Sequence, residues 1–413
     1  MKEDRGSARL RRIADAAGLD ARAVTRLRVL NCIREAGEAS RTDIAASLRL
    51  SPATVTFVTS GLMSGSLIEE VASQDTGETS RRGRPRVALR LTRGLHHVAG
   101  IKIARKMISV LVLDFDGTVV ADGEFPLHQS QMTPDALVTT IRSCVADTCT
   151  DLVGGINALA GIAIGLAGQI DANARFVHWS SSLTERNVDL GSLLDAHLPC
   201  ASFVENDANL VAKAEHLFGE ARGLTNFLVV TVEYGVGLGI VLDGKLHRGE
   251  RGCGAEFGHT KVALDGAPCQ CGQSGCLEAY VGSYALLRDA DSILCNPKDV
   301  SVEAMVDAAA DGNTRAQAVL DRAGQMFGMG LANLINLFDP ECIILSGAKH
   351  RIAHLHSNEV LALVRRSVIN VDAPLPEIRV HHWSDEMWAR GAAALGIERV
   401  SALKVKELGR DAA

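Results

Sequence analysis

The chain has 413 residues, of which 47% are hydrophobic and 22% charged, as in ordinary folded globular proteins. This length exceeds what one hydrophobic core usually serves, so we expect two or three domains. No apolar run is long enough to span a membrane, the polar N-terminal segment argues against a secretory signal, and the scattered cysteines favour a reducing cytoplasm.

Charge is distributed unevenly along the chain. Residues 1–93 contain 17 Lys and Arg against 11 Asp and Glu, a net charge of +6. The remaining residues contain 26 against 38, a net charge of −12. We call residues 1–93 the head and residues 94–413 the body. A basic head on an acidic body indicates that the head meets a polyanion while the body has another task.

The head shows the pattern of three short helices. Apolar side chains recur at helical spacing between Val24 and Ile33. The segment 40–43 is a capping box that opens a second helix, and Ser51-Pro52 provides a cap and a first-turn proline for a third. Two short helices joined by a tight turn predict a helix-turn-helix, and the small and hydroxylated side chains of the third helix suit close approach to a major groove.

A wing is expected after the third helix. Two candidate strands, at 67–71 and 87–91, flank a polar stretch that ends in an arginine-rich segment at 81–86. Alone, that segment could equally be a solvated linker, but beside the helical pattern it predicts contact with a minor groove. The side chains expected to contact DNA are Arg41, Ser51, Ala53, Thr54, Thr56, Phe57, Arg81, Arg82, Arg84 and Arg86.

The body alternates strands with helices. The candidate strands are at 98–104, 107–114, 117–121, 161–168, 227–232, 239–243 and 342–346, and a buried helix is expected at 328–338. The first three strands predict a meander, and the strand–turn–strand theme returns in the second half. This pattern predicts an α/β body of two lobes with a cleft between them.

One segment carries a metal-binding pattern. His259, Cys269, Cys271 and Cys276 supply one imidazole and three thiols, which match a closed tetrahedral Zn²⁺ site. The alternative is that the thiols are buried as small hydrophobic side chains. Glu256 is close in sequence to this set, and a metal that orders the loop would hold such carboxylates at fixed positions, as a polar ligand requires.

On these motifs the chain resembles, over nearly its whole length, the ROK family (repressors, open reading frames and kinases) of the actin-like ATPase superfamily. The resemblance implies a winged helix-turn-helix followed by a two-lobed actin-like, ribonuclease H-like domain with a structural zinc. It also implies a cleft that binds a monosaccharide or a derivative of one. The sugar-contacting residues so implied are Asn206, Asp207, Glu256, His259 and Glu278. Without the zinc segment, Asn206 and Asp207 would be interpreted as a turn or a helix cap.

Three segments separate this chain from the family's kinases. Where those hold ATP phosphates on Asp-x-Gly-Gly-Thr, this chain has Lys102–Lys106, without an acidic residue or a glycine. A second phosphate segment, 233–239, keeps its glycines but begins with Glu and Tyr, and the adenosine-side loop at 346–350 also departs. We therefore expect no ATP or Mg²⁺, and a sugar-accepting role for Asp207 instead of a catalytic one.

The sequence thus predicts a sugar-responsive transcriptional regulator, most simply a repressor, without enzymatic activity. Its partners would be operator DNA, a sugar effector and further copies of itself in a homodimer or homotetramer. An active ROK-type sugar kinase with an appended DNA-binding head is the alternative. A constitutive DNA-binding protein with a vestigial cleft is a third possibility.

Overall fold

The computed structural model describes residues 20–72, 87–290, 293, 301–347, 352–369, 374–382 and 385–410. Contacts between Cα atoms divide the chain into two units, each discontinuous in sequence. Unit 1 contains the described residues up to Ile164, the segment Leu190–Phe203 and those from Ala392 onward. Unit 2 contains Gly165–Asp189 and the described part of Val204–Gly391. The head therefore belongs to the same contact unit as the first part of the body.

The head forms the elements expected for a winged helix-turn-helix. They are α1 (Ala21–Ala36), β1 (Glu38–Ser40), α2 (Arg41–Leu48), α3 (Pro52–Ser64), β2 (Ile68–Ala72) and β3 (Val87–Leu91). Ser40 and Asp43 form the predicted capping box at the start of α2. Ser51 caps α3 by accepting from the Thr54 amide, with Pro52 in the first turn.

The strands of the head form a three-stranded antiparallel sheet in the order β1-β3-β2. Ile68 lies opposite Leu91, and Ala72 lies opposite Val87, close to the predicted pairing. Strand β1 was not predicted, because its three residues are too short to show a periodic pattern. The arginines predicted to contact DNA at 81, 82, 84 and 86 lie outside the described residues.

The body has the mixed α/β character that the sequence predicts. Its strands are β4 (His97–Ile103), β5 (Met107–Asp114), β6 (Val119–Pro126), β7 (Leu159–Leu166), β8 (Gly168–Asp171), β9 (Phe176–Ser180), β10 (Val188–Asp189), β11 (Ala201–Asn206), β12 (Phe227–Val232), β13 (Val236–Leu242), β14 (Lys245–His247), β15 (Cys342–Ser346) and β16 (Glu377–His381). Its helices are α4 (Pro134–Thr148), α5 (Leu190–His197), α6 (Asp207–Phe218), α7 (Glu278–Val281), α8 (Ser283–Ala290), α9 (Val302–Ala310), α10 (Thr314–Phe338), α11 (Asn358–Ser367) and α12 (Asp385–Arg410).

Two five-stranded sheets share one arrangement. The first has the order β6-β5-β4-β7-β11 and the second the order β14-β13-β12-β15-β16. Each begins with an antiparallel meander of three consecutive strands and continues with two later strands. In the second sheet those later strands, β15 and β16, run parallel to β12. The predicted opening meander and the repeated strand–turn–strand theme are confirmed.

Helix α10 is longer than predicted. The sequence pattern suggested a helix at 328–338, whereas the helix begins at Thr314, capped by Asn313. Its first turns are mostly exposed, but Ala316, Leu320 and Ala323 are buried at helical spacing, an apolar repeat that the prediction overlooked. Its second half, including Phe327 and Leu331, is buried in the core of unit 2.

Within unit 1, helix α1 of the head is tied to the body by Arg34. Its guanidinium donates to the Phe115 carbonyl at 3.2 Å and to the Ser401 hydroxyl at 3.0 Å. The guanidinium carbon also lies 4.9 Å from the centre of the Phe115 ring. Ser401 belongs to α12, so the C-terminal helix takes part in holding the head.

Among the described residues, no helix is both long enough and apolar enough to cross a bilayer.

Candidate functional site

The four residues predicted to bind metal come together in unit 2. The ligand atoms of His259, Cys269, Cys271 and Cys276 all lie within 4.8 Å of one another. His259 Nδ1 is 3.6 Å from Cys269 Sγ, and Cys271 Sγ is 3.8 Å from Cys276 Sγ. A tetrahedral Zn²⁺ with ordinary bond lengths separates a nitrogen and a sulfur ligand by about 3.6 Å and two sulfur ligands by about 3.8 Å. The donor set and its spacing therefore fit zinc.

Two further side chains donate to these sulfurs. The Lys261 ammonium lies 3.0 Å from Cys276 Sγ, and the Tyr284 hydroxyl lies 3.4 Å from Cys269 Sγ. Hydrogen bonds to metal-bound thiolates orient them and reduce their charge density. Neither donor was predicted, because Tyr284 follows the metal-binding segment and Lys261 has no motif of its own.

The loop that carries the thiols is built from turns and isolated bridges. Lys261 pairs with Cys276 and Pro268 with Ser274, each as a single antiparallel bridge. Gly275 has a φ of 75°, and a Cβ there would collide with the Ala263 carbonyl. A side chain at this position would push apart the bridged segments of the loop. The glycine is therefore required by packing as well as by its backbone conformation.

A cluster of three carboxylates adjoins the metal-binding set. The pKa of Glu256 is raised to about 7, mainly by burial and then by the negative charges of Asp207 and Glu278. A carboxyl group with a raised pKa retains its proton to higher pH, and the protonated form can donate as well as accept a hydrogen bond. Three carboxyl groups that converge in this way provide acceptors for several neighbouring hydroxyl groups.

The imidazole of His259 faces both clusters. Its Nδ1 points to the thiols, while its Nε2 lies 3.9 Å from Glu256 Oε2. On the other side, Glu278 Oε1 lies 3.7 Å from Cys269 Sγ, and its Oε2 accepts from the Val236 amide at 3.1 Å. The four predicted metal ligands and the acidic cluster thus adjoin each other through His259 and Glu278. This arrangement is the one expected if a metal holds the carboxylates in place.

Asn206 and Asp207 lie where β11 meets α6. Asn206 Oδ1 caps the helix by accepting from the Asn209 amide at 3.3 Å, and its Nδ2 donates to the Gly168 carbonyl at 2.9 Å. Asp207 is the first residue of α6 and is only partly buried. Asn206 therefore has the capping role considered for it, while Asp207 contributes its charge to the acidic cluster.

Sequence reasoning missed a buried ion pair behind this turn. Glu205 is 1% exposed, and its Oε2 lies 2.7 Å from Arg248 Nε and 2.6 Å from a terminal nitrogen of the same guanidinium. Its Oε1 accepts from Asn209 Nδ2 at 2.9 Å. Alternation along β11 does not reveal the burial of Glu205, because Ala201 and Phe203 on the same face are only partly buried, and no local pattern connects Glu205 with Arg248.

The two segments at the positions of the kinase phosphate loops are closed turns. Between β4 and β5 the chain turns tightly, with the Ala104 amide donating to the Met107 carbonyl at 2.9 Å. Between β12 and β13 the Tyr234 hydroxyl accepts from Gln270 Nε2 at 2.9 Å, and its ring lies 5.4 Å from that of Tyr284. A bulky ring thus stands where a phosphate-binding turn needs small residues.

The predicted DNA-facing side of α3 is exposed. Val55, Val58 and Leu62 are buried, while Ala53, Thr56 and Phe57 face solvent. Phe57 is 66% exposed, so its ring on the predicted DNA-facing side is open to solvent. Arg41 at the start of α2 forms an ion pair with Glu70 at 2.8 Å and also donates to Thr59.

Residues 98–399 match the family model described as the ROK family. The chain belongs to the ROK family. Its relatives include a xylose repressor from Bacillus spizizenii, 30% identical over 308 residues that cover 74% of this chain and 77% of that protein. Another is the DNA-binding transcriptional repressor Mlc of Escherichia coli K12, 26% identical over 373 residues covering 88% of this chain and 91% of Mlc.

Solved ROK structures confirm the fold prediction. A ROK family transcriptional regulator described as a homologue of E. coli Mlc superposes with a TM-score of 0.79 at 25% identity. The match covers 94% of this chain and 99% of the regulator, so it includes the head. A ROK family glucokinase from Streptomyces griseus in complex with glucose and AMPPNP gives a TM-score of 0.62 at 26% identity, covering 73% of this chain and 99% of the kinase.

Proposed function

We propose that this chain is a sugar-responsive, DNA-binding transcriptional regulator, and specifically a repressor of genes for carbohydrate use. The observation that carries the proposal is the match to a ROK transcriptional regulator over 94% of the chain, head included. The repressor names of its relatives support it, among them E. coli NagC, a dual regulator 28% identical over 326 residues.

In this proposal the head, residues 1–93, binds operator DNA. Helix α3 enters the major groove, and the arginines of the wing follow the minor groove. The proposed contacts are Arg41, Ser51, Ala53, Thr54, Thr56, Phe57, Arg81, Arg82, Arg84 and Arg86. The exposed face of α3 supports this orientation, because its aromatic and hydroxyl groups have no role in the core of the head.

The body, residues 94–413, binds a monosaccharide or a sugar derivative through Asn206, Asp207, Glu256, His259 and Glu278. The support is the convergence of three carboxyl groups beside one imidazole in unit 2. Such a site discriminates strongly against ligands that lack hydroxyl groups, because its buried polar groups would then be unpaired.

A structural zinc held by His259, Cys269, Cys271 and Cys276 completes the proposal. Four protein ligands leave no coordination position for a substrate, so the metal contributes order to the loop and no chemistry. With Nδ1 directed to the thiols, His259 retains Nε2 for the acidic cluster and the sugar.

We further propose that the chain does not transfer phosphate. The tight turn after β4 and the Tyr234 ring after β12 support this, since bulky side chains stand where a phosphate-binding loop needs small residues. The alternative, an ATP-dependent sugar kinase with an appended head, is favoured by the presence of Asp207 and by the glucokinase match. ADP release during incubation with ATP, Mg²⁺ and hexoses would establish that alternative.

Regulation follows from linkage. If the sugar binds more tightly to the conformation with lower operator affinity, it lowers DNA binding by the ratio of its two affinities. A homodimer or homotetramer would place two heads on a pseudo-palindromic operator, with half-sites separated by whole helical turns.

Fluorescence anisotropy on the DNA upstream of the chain's own gene tests the function. The protein is titrated at one stated salt concentration, with and without D-glucose, D-xylose, N-acetylglucosamine and their 6-phosphates where these exist. Specific binding that one sugar weakens at micromolar to millimolar concentration is expected. Specific binding that no sugar alters would favour a vestigial cleft, and sugar-dependent ADP release would favour the kinase.

A further inference from the structure

The carboxylate of Glu205 is buried but has no part in the proposed sugar contacts, so its burial requires another explanation. Glu205 is almost completely buried, and both its oxygens are engaged. Burial of an ionised carboxylate is costly unless a cation and further hydrogen bonds compensate it. Arg248 supplies the cation, with two nitrogens on one oxygen at 2.7 and 2.6 Å.

Arg248 occupies a special position in the chain. It follows β14 and begins the loop that ends at Glu256. Its carbonyl accepts from the Gly254 amide at 3.0 Å, so the loop folds back on Arg248. Gly249 and Gly252 have φ values of 74° and 72°, which permit this course.

Glu205 occupies the matching position on the other side. It precedes Asn206 and Asp207, and its Oε1 accepts from the Asn206 amide at 3.1 Å as well as from Asn209 Nδ2. The carboxylate therefore organises the turn from β11 into α6, where Asp207 stands. One ion pair joins the backbone segments that present Asp207 and Glu256.

We infer that Arg248 is a positioning residue for the proposed sugar site: paired with Glu205, it clamps the Glu256 loop onto the Asp207 turn. The inference rests on the proposed function for its sugar-binding consequence. It explains how carboxyl groups that repel one another stay together before a ligand arrives. Without the clamp, the glycine-containing loop relaxes and Glu256 moves away from Asp207.

The test compares Arg248→Met with Arg251→Met, a matched control in the same loop whose side chain is exposed. Hydrogen exchange of residues 249–258 is measured without ligand, and calorimetry is carried out with D-glucose, D-xylose and N-acetylglucosamine. In R248M we expect faster exchange in this loop and sugar binding weakened by at least about tenfold. Zinc content and DNA affinity should equal those of R251M.

Two further variants separate positioning from general damage. Arg248→Lys keeps the charge but not the pair of guanidinium nitrogens on Glu205 Oε2, so it should restore part of the affinity. The double variant Glu205→Gln with Arg248→Met should bind sugar no more weakly than R248M alone, because both changes break the same interaction. If R248M loses zinc or unfolds, Arg248→Gln replaces it in every comparison.

Equal exchange and equal affinity in the R248 and R251 variants would overturn the inference. Failure of the proposed function has a different signature. If the wild-type protein binds no sugar, exchange alone decides: faster exchange in R248M supports the clamp, and wild-type exchange rejects it.

Discussion

Lys261 is an exposed side chain that contacts one of the proposed metal ligands, Cys276. A Zn²⁺ with three thiolates and a neutral imidazole carries a net charge of −1. The Lys261 ammonium, 3.0 Å from Cys276 Sγ, offsets this charge by a charge-assisted hydrogen bond. A neutral side chain of similar length would leave the thiolate more basic and more open to protonation.

Substitution of Lys261 by Met should therefore loosen the metal. We expect zinc to pass to a chromogenic chelator several-fold faster from K261M than from the wild type. Lys106→Met, an exposed change in unit 1, is the control and should release zinc at the wild-type rate. Indistinguishable release from K261M and K106M would show that the contact does not affect the metal.

Substitution of Asp207 gives the most direct test of the proposed sugar site. Asp207→Asn keeps size and helix position but removes one of the charges that converge on Glu256. We expect sugar affinity to fall by about tenfold or more, because the amide places a donor where a hydroxyl group also donates. Calorimetry measures it, with the exposed Asp122→Asn as control. Wild-type affinity in D207N would remove Asp207 from the site.

The parts of the candidate site that are local in sequence could be predicted, whereas the contacts between distant segments could not. His259, Cys269, Cys271 and Cys276 lie within one short segment, so their spacing alone predicted that these side chains would come together. Glu205 and Arg248 meet through tertiary packing, and neither has a distinctive sequence environment. The sequence left open whether Asn206 caps a helix; its side-chain oxygen does so, and its side-chain nitrogen donates to the Gly168 carbonyl.

At the scale of elements, the starts of the two short helices of the head were predicted best. The starts of α2 and α3 follow from Ser40 and Ser51, because a cap is a local interaction. Strand β1 was missed because it is too short for a periodic signal, and the first half of α10 was missed although Ala316, Leu320 and Ala323 keep the helical repeat. Their structure depends on packing with partners distant in sequence.

Helix α3 provides the prediction for the head. Phe57 is largely exposed, so Phe57→Ala should change the free energy of unfolding by no more than about 0.5 kcal/mol. Operator affinity should fall several-fold, because the ring is lost from the proposed DNA contact. Anisotropy and thermal unfolding measure the two effects, with Phe218→Ala in the body as control. Unchanged operator affinity in F57A would place the DNA contact elsewhere.

The loop at 259–276 gives the second prediction at this scale. Cys271→Ser removes one metal ligand, and we expect the loop to lose order together with Glu256, His259 and Glu278. Sugar should then no longer change DNA affinity, although sugar-free DNA binding is retained. Metal content is measured by emission spectrometry and the response by anisotropy. A normal sugar response without zinc would separate the metal from the sugar site.

At the scale of the molecule, Arg34 links head and body within unit 1. Burial lowers its pKa to about 10, so it stays charged at neutral pH and gives charge-assisted hydrogen bonds to Phe115 and Ser401.

Arg34→Met should cost about 2 kcal/mol of stability. We also expect a smaller sugar-induced change in operator affinity, because a head detached from α12 no longer senses the body. Chemical unfolding and anisotropy measure the two effects. The control is Arg22→Met on the exposed side of α1, and an identical sugar response in R34M and R22M would exclude this route of coupling.

The discontinuous make-up of unit 1 has a consequence for biosynthesis. The strand segments of β4 to β6 leave the ribosome early, whereas the part of α12 that contains Ser401 is translated after all of unit 2. If unit 1 begins to fold during synthesis, α1 acquires its complete set of contacts only after this late helix has been translated. A nascent chain stalled before residue 392 would therefore lack the contact of Arg34 with Ser401, and its head would be more accessible to proteases than in the complete chain.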